Sequence, residues 1–309
     1  MKKLTLKEQG ELVYTISRYN PPKIQIDSGE TILVETEDAW TGQVRKEGDK
    51  RDYNNMPYGN PQSGPIYIKG AEAGDSISVK IIDIQPTIGQ GCTRTPSYWW
   101  YIGSVEQRAL ENFLNPTLPE NIKICPIRDG IVYFSERYQL PYEPFIGTIG
   151  TAPALESISS GDPGNHGGNM DLPDVSIGNT IYLPVHVDGA LLHLGDVHAI
   201  QGEGEITGNG IEMPSMCKLS IGLIKGKTIP SPRIESPEYI MAISNSGIGR
   251  SLQDAIRLAY IHLVFWMEED FGIDRSDAFQ LCAQVGRLSI GNLWAVAAKF
   301  PKKYLEKND

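Results

Sequence analysis

The stretch SNSGIGRSLQDAIRLAYIHLVFWM (244–267) decides the fold, because the periodicity of the chain changes inside it. On its carboxyl side Leu252, Ile256, Ala259, Leu263 and Trp266 recur at helical spacing. Ser251 stands where an N-cap is needed, and Asp254 falls three residues on, where an acid favours a helix start. The pattern predicts a helix over 251–270. GIDRS (272–276) then reads as a capping turn, and DAFQLCAQVGRL (277–288) as a second helix.

The amino side of the same stretch is different. ELVYTIS (11–17), TILVET (31–36), SISVKIIDI (76–84) and TIYLPVHV (180–187) are β-branched or alternating runs bounded by Gly, Pro, Asn and Asp. The 32 glycines and 21 prolines supply frequent turns, so only short helices, between 104 and 114, are expected before residue 245. The fold class that follows is mainly β with a C-terminal helical layer (α+β), a β/β/α sandwich of antiparallel strands. Residues 1–164 form an N-terminal β region, and residues 165–309 a second β region with the helical pair, the two standing apart or intertwined as one domain.

Composition narrows the function. With 309 residues and 40% hydrophobic side chains, the chain can bury a core without disulfides. The formal charge of −10 argues against nucleic acid, whose binding rests on clustered cations. Cys92, Cys125, Cys217 and Cys282 are far apart, which fits a reduced, cytoplasmic protein. MKKLTLKEQG (1–10) lacks the apolar run of an export signal, and LAYIHLVFWM (258–267) is much shorter than the roughly 20 residues a bilayer needs. No membrane association is expected.

Polar residues concentrate in two segments, GNHGGNMDLPD (164–174) and GDVHAIQGEGE (195–205). Asp196 and His198, two apart, share one face of an extended strand and offer the mixed oxygen and nitrogen set that zinc accepts. Glu203 and Glu205 have the same relation, so one can bind while the other serves as a general base. Glycines at 202, 204, 208 and 210 let the backbone approach a ligand. An exposed hairpin decorated with acids is the plain alternative, but it has no use for so many glycines. Asn169 and Asp171 can orient a small polar substrate, or simply shape a turn. Asp38, ending the strand at 31–36, can enter a cleft or guard a sheet edge. His166, His186 and His262 read as structural. No nucleophile elbow, phosphate-binding loop or HExxH helix is present, which leaves metal-assisted hydrolysis or noncovalent binding.

Four stretches together resemble the acetamidase/formamidase family: ETEDAWTGQ (35–43), NPQSGPIYIKGAEAGD (60–75), PFIGTIGTAP (144–153), and the block from GGNMD (167–171) to GDVHAIQGEGE (195–205). The resemblance implies hydrolysis of a short-chain amide, of the formamide or acetamide type, to carboxylate and ammonia. It also implies a divalent metal, zinc first and calcium second, and a homodimer or higher homo-oligomer. Carried over by position, it implies Asp38, Asp196 and His198 as metal ligands, Glu203 and Asp171 as catalytic acids, and Asn169, Gln201 and Glu205 as substrate-binding residues. GEGEI (202–206) departs from the family's GDGEV, and His186 and His193 stand where apolar or small residues are expected. A related carbon–nitrogen hydrolase acting on a lactam or formylated amine, or a noncatalytic metal- or metabolite-binding protein, are the rival readings.

Overall fold

Alternation along two neighbouring strands sets the layers. In Tyr239–Asn245, Ile240 and Ala242 pack to one side and Met241 and Ile243 to the other, and all four are buried. Ala295–Pro301 repeats the pattern: Val296, Ala298 and Phe300 join the first pair, Ala295 and Ala297 the second. Such strands, covered on both faces, read as continuous apolar runs. In the computed structural model, which describes residues 1–95, 121–245 and 251–305, both lie in a nine-stranded sheet. Helices cover one face of that sheet, and a six-stranded sheet covers the other.

The nine-stranded sheet runs in the order Lys2–Leu4, Thr31–Thr36, Ser215–Ile224, Ser76–Pro86, Thr180–Pro184, Arg233–Glu235, Tyr239–Asn245, Ala295–Pro301, Arg287–Ile290. The six-stranded sheet runs Pro163–Gly164, Gly167–Asn169, Phe145–Thr151, Leu192–His198, Gln62–Ile68, Ile24–Ile26. Pairing is antiparallel in both except where Lys2–Leu4 meets Thr31–Thr36 and Ile24–Ile26 meets Gln62–Ile68. Each sheet draws strands from both sides of residue 164, so the two regions of sequence interleave. The main core fills the space between the sheets, with Ile32, Val34, Ile77 and Val79 facing Ile66, Ile146, Leu192 and Leu194.

The long helix Leu252–Phe271 begins as expected, with the Ser251 hydroxyl accepting from the Asp254 amide, and ends at Gly272 in the left-handed conformation. Ala255, Ala259, Leu263, Trp266 and Met267 press onto the sheet. The second helix, Arg275–Val285, starts two residues earlier than the apolar pattern indicates, because the Asp274 carboxylate caps the amides of Ser276 and Asp277. It also ends earlier, and Arg287–Ile290 pairs as an edge strand. Of 11–17 only Thr15–Ser17 is a strand. The short helices expected between 104 and 114 lie outside the described residues. Among the described residues no helix is long and apolar enough to cross a membrane.

Candidate active site

Leu192–His198 is buried along its whole length near the centre of the six-stranded sheet. Its pairing with Phe145–Thr151 skips one position: Val197 faces Ile146 and Gly195 faces Thr148, but Asp196 and Gly147 do not pair. Asp196 has φ 57°, and two further acids, Asp171 at φ 49° and Glu205 at φ 45°, share this left-handed conformation. Each such residue costs about 1–3 kcal/mol, and such strain persists only where the surroundings over-determine it. Gly147 is part of those surroundings, since a Cβ there would stand 2.6 Å from both Asp171 Oδ1 and the Asp196 carbonyl oxygen.

Five ionisable side chains converge at this point. His198 Nε2 lies 3.4 Å from Asp196 Oδ1 and 3.2 Å from Glu212 Oε2. Ligating atoms of Asp171, Asp196 and His198 all fall within 4.8 Å of one another, as do those of His198, Glu205 and Glu212. All five residues are buried. The orientation of His198 is fixed from behind. The Gln201 amide nitrogen donates to the Asp171 carbonyl, so its oxygen is turned to accept from His198 Nδ1 at 2.8 Å. With the proton on Nδ1, the Nε2 lone pair faces the carboxylates, the arrangement that outer-shell partners impose on metal-binding histidines. Phe145 packs edge-on against the ring, and Gly210 leaves room for it, a Cβ there falling 2.6 Å from Nδ1.

Neutral amides hold the carboxylates in turn. Asn292 donates to Asp171 Oδ2 at 3.0 Å and to the Asn169 carbonyl at 2.6 Å. Asn60 and Thr148 donate to Asp196 Oδ2 at 3.3 and 3.2 Å, and both also contact Asn169 Oδ1. The Gly210 amide donates to Glu212 Oε1. Two buried oxygens, Asp171 Oδ1 and Glu212 Oε2, have no aligned hydrogen-bond partner.

Four carboxyl groups and one imidazole in a buried volume cannot all ionise without a counter-charge. Burial, and then the neighbouring Asp196 charge, push the Asp171 carboxyl well above its usual range, and burial followed by Asp171 does the same to Glu205. Burial is also the main cause that raises Glu212 to about 7. For His198 burial works against the charged ring, but Glu212 and Asp196 outweigh it and hold its pKa well above the ordinary value. Burial opposes ionisation of Asp196 as well, and His198 overcomes it, leaving that carboxyl below its normal pKa. A divalent cation fits this set: it would supply the missing positive charge, engage the orphaned Glu212 oxygen and take the Nε2 lone pair.

Asp171, Asp196, His198, Glu205 and Gln201 are therefore brought together, and Asn169 sits one hydrogen bond behind them. Two residues assigned from sequence are not. Asp38 is buried apart from the cluster, its Oδ1 accepting from the amides of Trp40 and Gly42 and its Oδ2 from Arg45, so its charge is already matched. Glu203 is exposed and accepts from the Ile290 amide at the rim, because the turn at Gly204 sends it away from Glu205. Glu212, Asn60, Thr148 and Asn292 escaped the sequence reading. Glu212 alone carried a signal, an acid set between Ile211 and Met213 in an otherwise apolar run. It bridges to both His198 and Cys92 through the backbone.

Beside the cluster opens a pocket of about 390 Å³ whose wall includes Gln201, Glu205 and Gly210. A sandwich of two sheets and a helical layer, with a buried acid and histidine cluster that reaches a small pocket through Glu205, defines the class of β/β/α proteins with a polar site inside the sandwich. Comparison with known proteins gives the family. The family model of the Acetamidase/Formamidase family matches residues 8–161 and 159–286, and the chain belongs to this family. The crystal structure of acetamidase from Yersinia enterocolitica is 39% identical and superposes with a TM-score of 0.91, covering 99% of this chain and 93% of that one. Acetamidase from Bacillus halodurans is 31% identical with a TM-score of 0.85, covering 98% of each chain. Formamidase from Methylophilus methylotrophus is 28% identical over 267 residues, 68% of this chain and 64% of that protein. The chain thus spans somewhat less than two thirds of the length of that relative.

Proposed function

We propose that the chain hydrolyses a short, neutral, linear amide to a carboxylate and ammonia with the help of a divalent metal. The observation that carries this reading is His198, held by Gln201 so that Nε2 faces Asp196 and Glu212, with Gln201 and Glu205 beside it lining a small pocket. Asp196, His198 and Glu212 would hold the ion. Zinc is favoured over calcium because a nitrogen ligand suits it better than an all-oxygen site does. When bound, the ion would polarise water or the amide carbonyl.

The remaining acids handle protons. Asp171, whose Oδ1 has no hydrogen-bond partner, would be ionised once a cation supplies the counter-charge, and it then takes a proton from the attacking water as the new carbon–oxygen bond forms. Glu205, which burial and then the neighbouring Asp171 charge bias toward the protonated form, gives a proton to the nitrogen as the carbon–nitrogen bond breaks. That donation matters because an amide nitrogen leaves poorly as an anion. Asn169 and Gln201 orient the amide. Four free, buried cysteines accord with a reducing, cytoplasmic compartment, and the family kinship supports a homo-oligomer.

The test is ammonia release from formamide, acetamide and propionamide by protein stripped with chelator and resupplied with zinc or calcium. One metal should restore turnover, and His198→Ala should lose both the metal and the activity, by more than the roughly 10–100-fold typical of outer-shell substitutions. Full metal content and full turnover in His198→Ala would sink the assignment.

A further inference from the structure

The pocket beside Glu205 is larger than formamide or acetamide needs. At about 30 Å³ for each water-sized group, the non-hydrogen atoms of acetamide occupy only about a third of its 390 Å³. Its chemistry is mixed. Gln201 and Glu205, which adjoin His198, share the wall with the apolar side chains of Phe134, Leu140, Ile200 and Ile206, and Thr93, Thr207 and Asn209 add polar groups. Groups that handle the amide therefore share one pocket with a set of apolar side chains, and Glu203 lies in its wall with its charge exposed.

We propose that these apolar side chains seat the hydrocarbon chain of the acyl group, making uncharged aliphatic amides of about four to six carbons better substrates than formamide or acetamide. The inference rests on the amidase reading above. The amide must meet Glu205 and the His198 cluster, and Phe134, Leu140, Ile200 and Ile206 are apolar side chains that share a pocket with Glu205. Carboxylate-tailed amides are disfavoured, since the exposed Glu203 presents like charge and the whole chain carries −10.

The experiment compares kcat/KM for acetamide, butyramide and hexanamide, in the zinc-supplemented wild type and in Ile206→Trp. Ile206 is 54% exposed, so the larger ring can enter the pocket without disturbing the core. Binding of the matching straight-chain alcohols, which share the hydrocarbon and cannot be hydrolysed, is measured in parallel by calorimetry. The expected result is a rise of about fourfold per methylene in kcat/KM and in alcohol affinity, with both gradients flattened by Ile206→Trp. Turnover of acetamide with no gain along either series would overturn the acyl-pocket inference and leave the amidase reading standing. An alcohol gradient that Ile206→Trp removes, with no ammonia from any amide, would uphold the pocket and reject the amidase reading.

Discussion

Glu203 and Glu212 carry the same side chain into opposite surroundings. Glu203 is exposed and tied to a backbone amide at the rim, whereas Glu212 is buried, its Oε2 3.2 Å from His198 Nε2 without an aligned hydrogen bond. Exchange of Glu203 for Gln should leave turnover and zinc content near those of the wild type. Glu212→Gln should lower zinc affinity by at least about 10-fold and turnover with it. Equilibrium dialysis and ammonia assays on the two variants read this contrast directly. Spacing did point to Asp196 and His198, which converge although the left-handed backbone of Asp196 breaks the simple period of two. It could not separate Glu203 from Glu205, because Gly204, at φ 86°, turns them to different sides. His262 reads correctly as structural, since its Nδ1 meets the Ser231 hydroxyl at 2.8 Å.

At the scale of elements, the helices were the most legible part of the chain. One apolar stripe, a serine cap and a terminal glycine are local signals, and Leu252–Phe271 obeys all three. Strands buried on both faces lack a regular polar alternation, which is why Leu192–His198 and Phe145–Thr151 are not among the runs that the alternation marks out. The helical layer is a stability element on the sheet face opposite the site. Leu263 is fully buried between helix and sheet, so Leu263→Ala should cost about 2–5 kcal/mol in chemical denaturation. Turnover per folded molecule should stay unchanged. A loss of turnover without a loss of stability would mean that the layer acts on the site and not only on the fold.

The whole molecule joins its charge to its stability through the buried acids. Asp171, Glu205 and Glu212 all have folded pKa values above their unfolded ones, Glu212 at about 7. In the metal-free protein they bind more protons folded than unfolded. Their contribution is fully present below the ordinary carboxylate range and is lost as pH rises through the raised values. A bound cation removes this penalty by pairing with the ionised carboxylates. The difference in Tm between zinc-loaded and chelated protein should therefore widen between about pH 4.5 and pH 7. Buried His166 and His193, lowered chiefly by burial to about 4 and about 3, impose an opposite slope in both forms and cancel in the difference. A Tm difference that stays flat across this range would count against metal binding by these acids.

Asn292 gives the order of events during synthesis a physical meaning. It belongs to the last stretch of the chain, yet it anchors Asp171 and the Asn169 carbonyl from across the sandwich. A nascent chain that has passed residue 212 already carries every proposed ligand, and Gly147 and Gln201 already hold the Asp171 backbone, but the amide that fixes the Asp171 carboxylate is still to come. On the proposed reading, the acid cluster reaches its final arrangement only after residue 292 has docked.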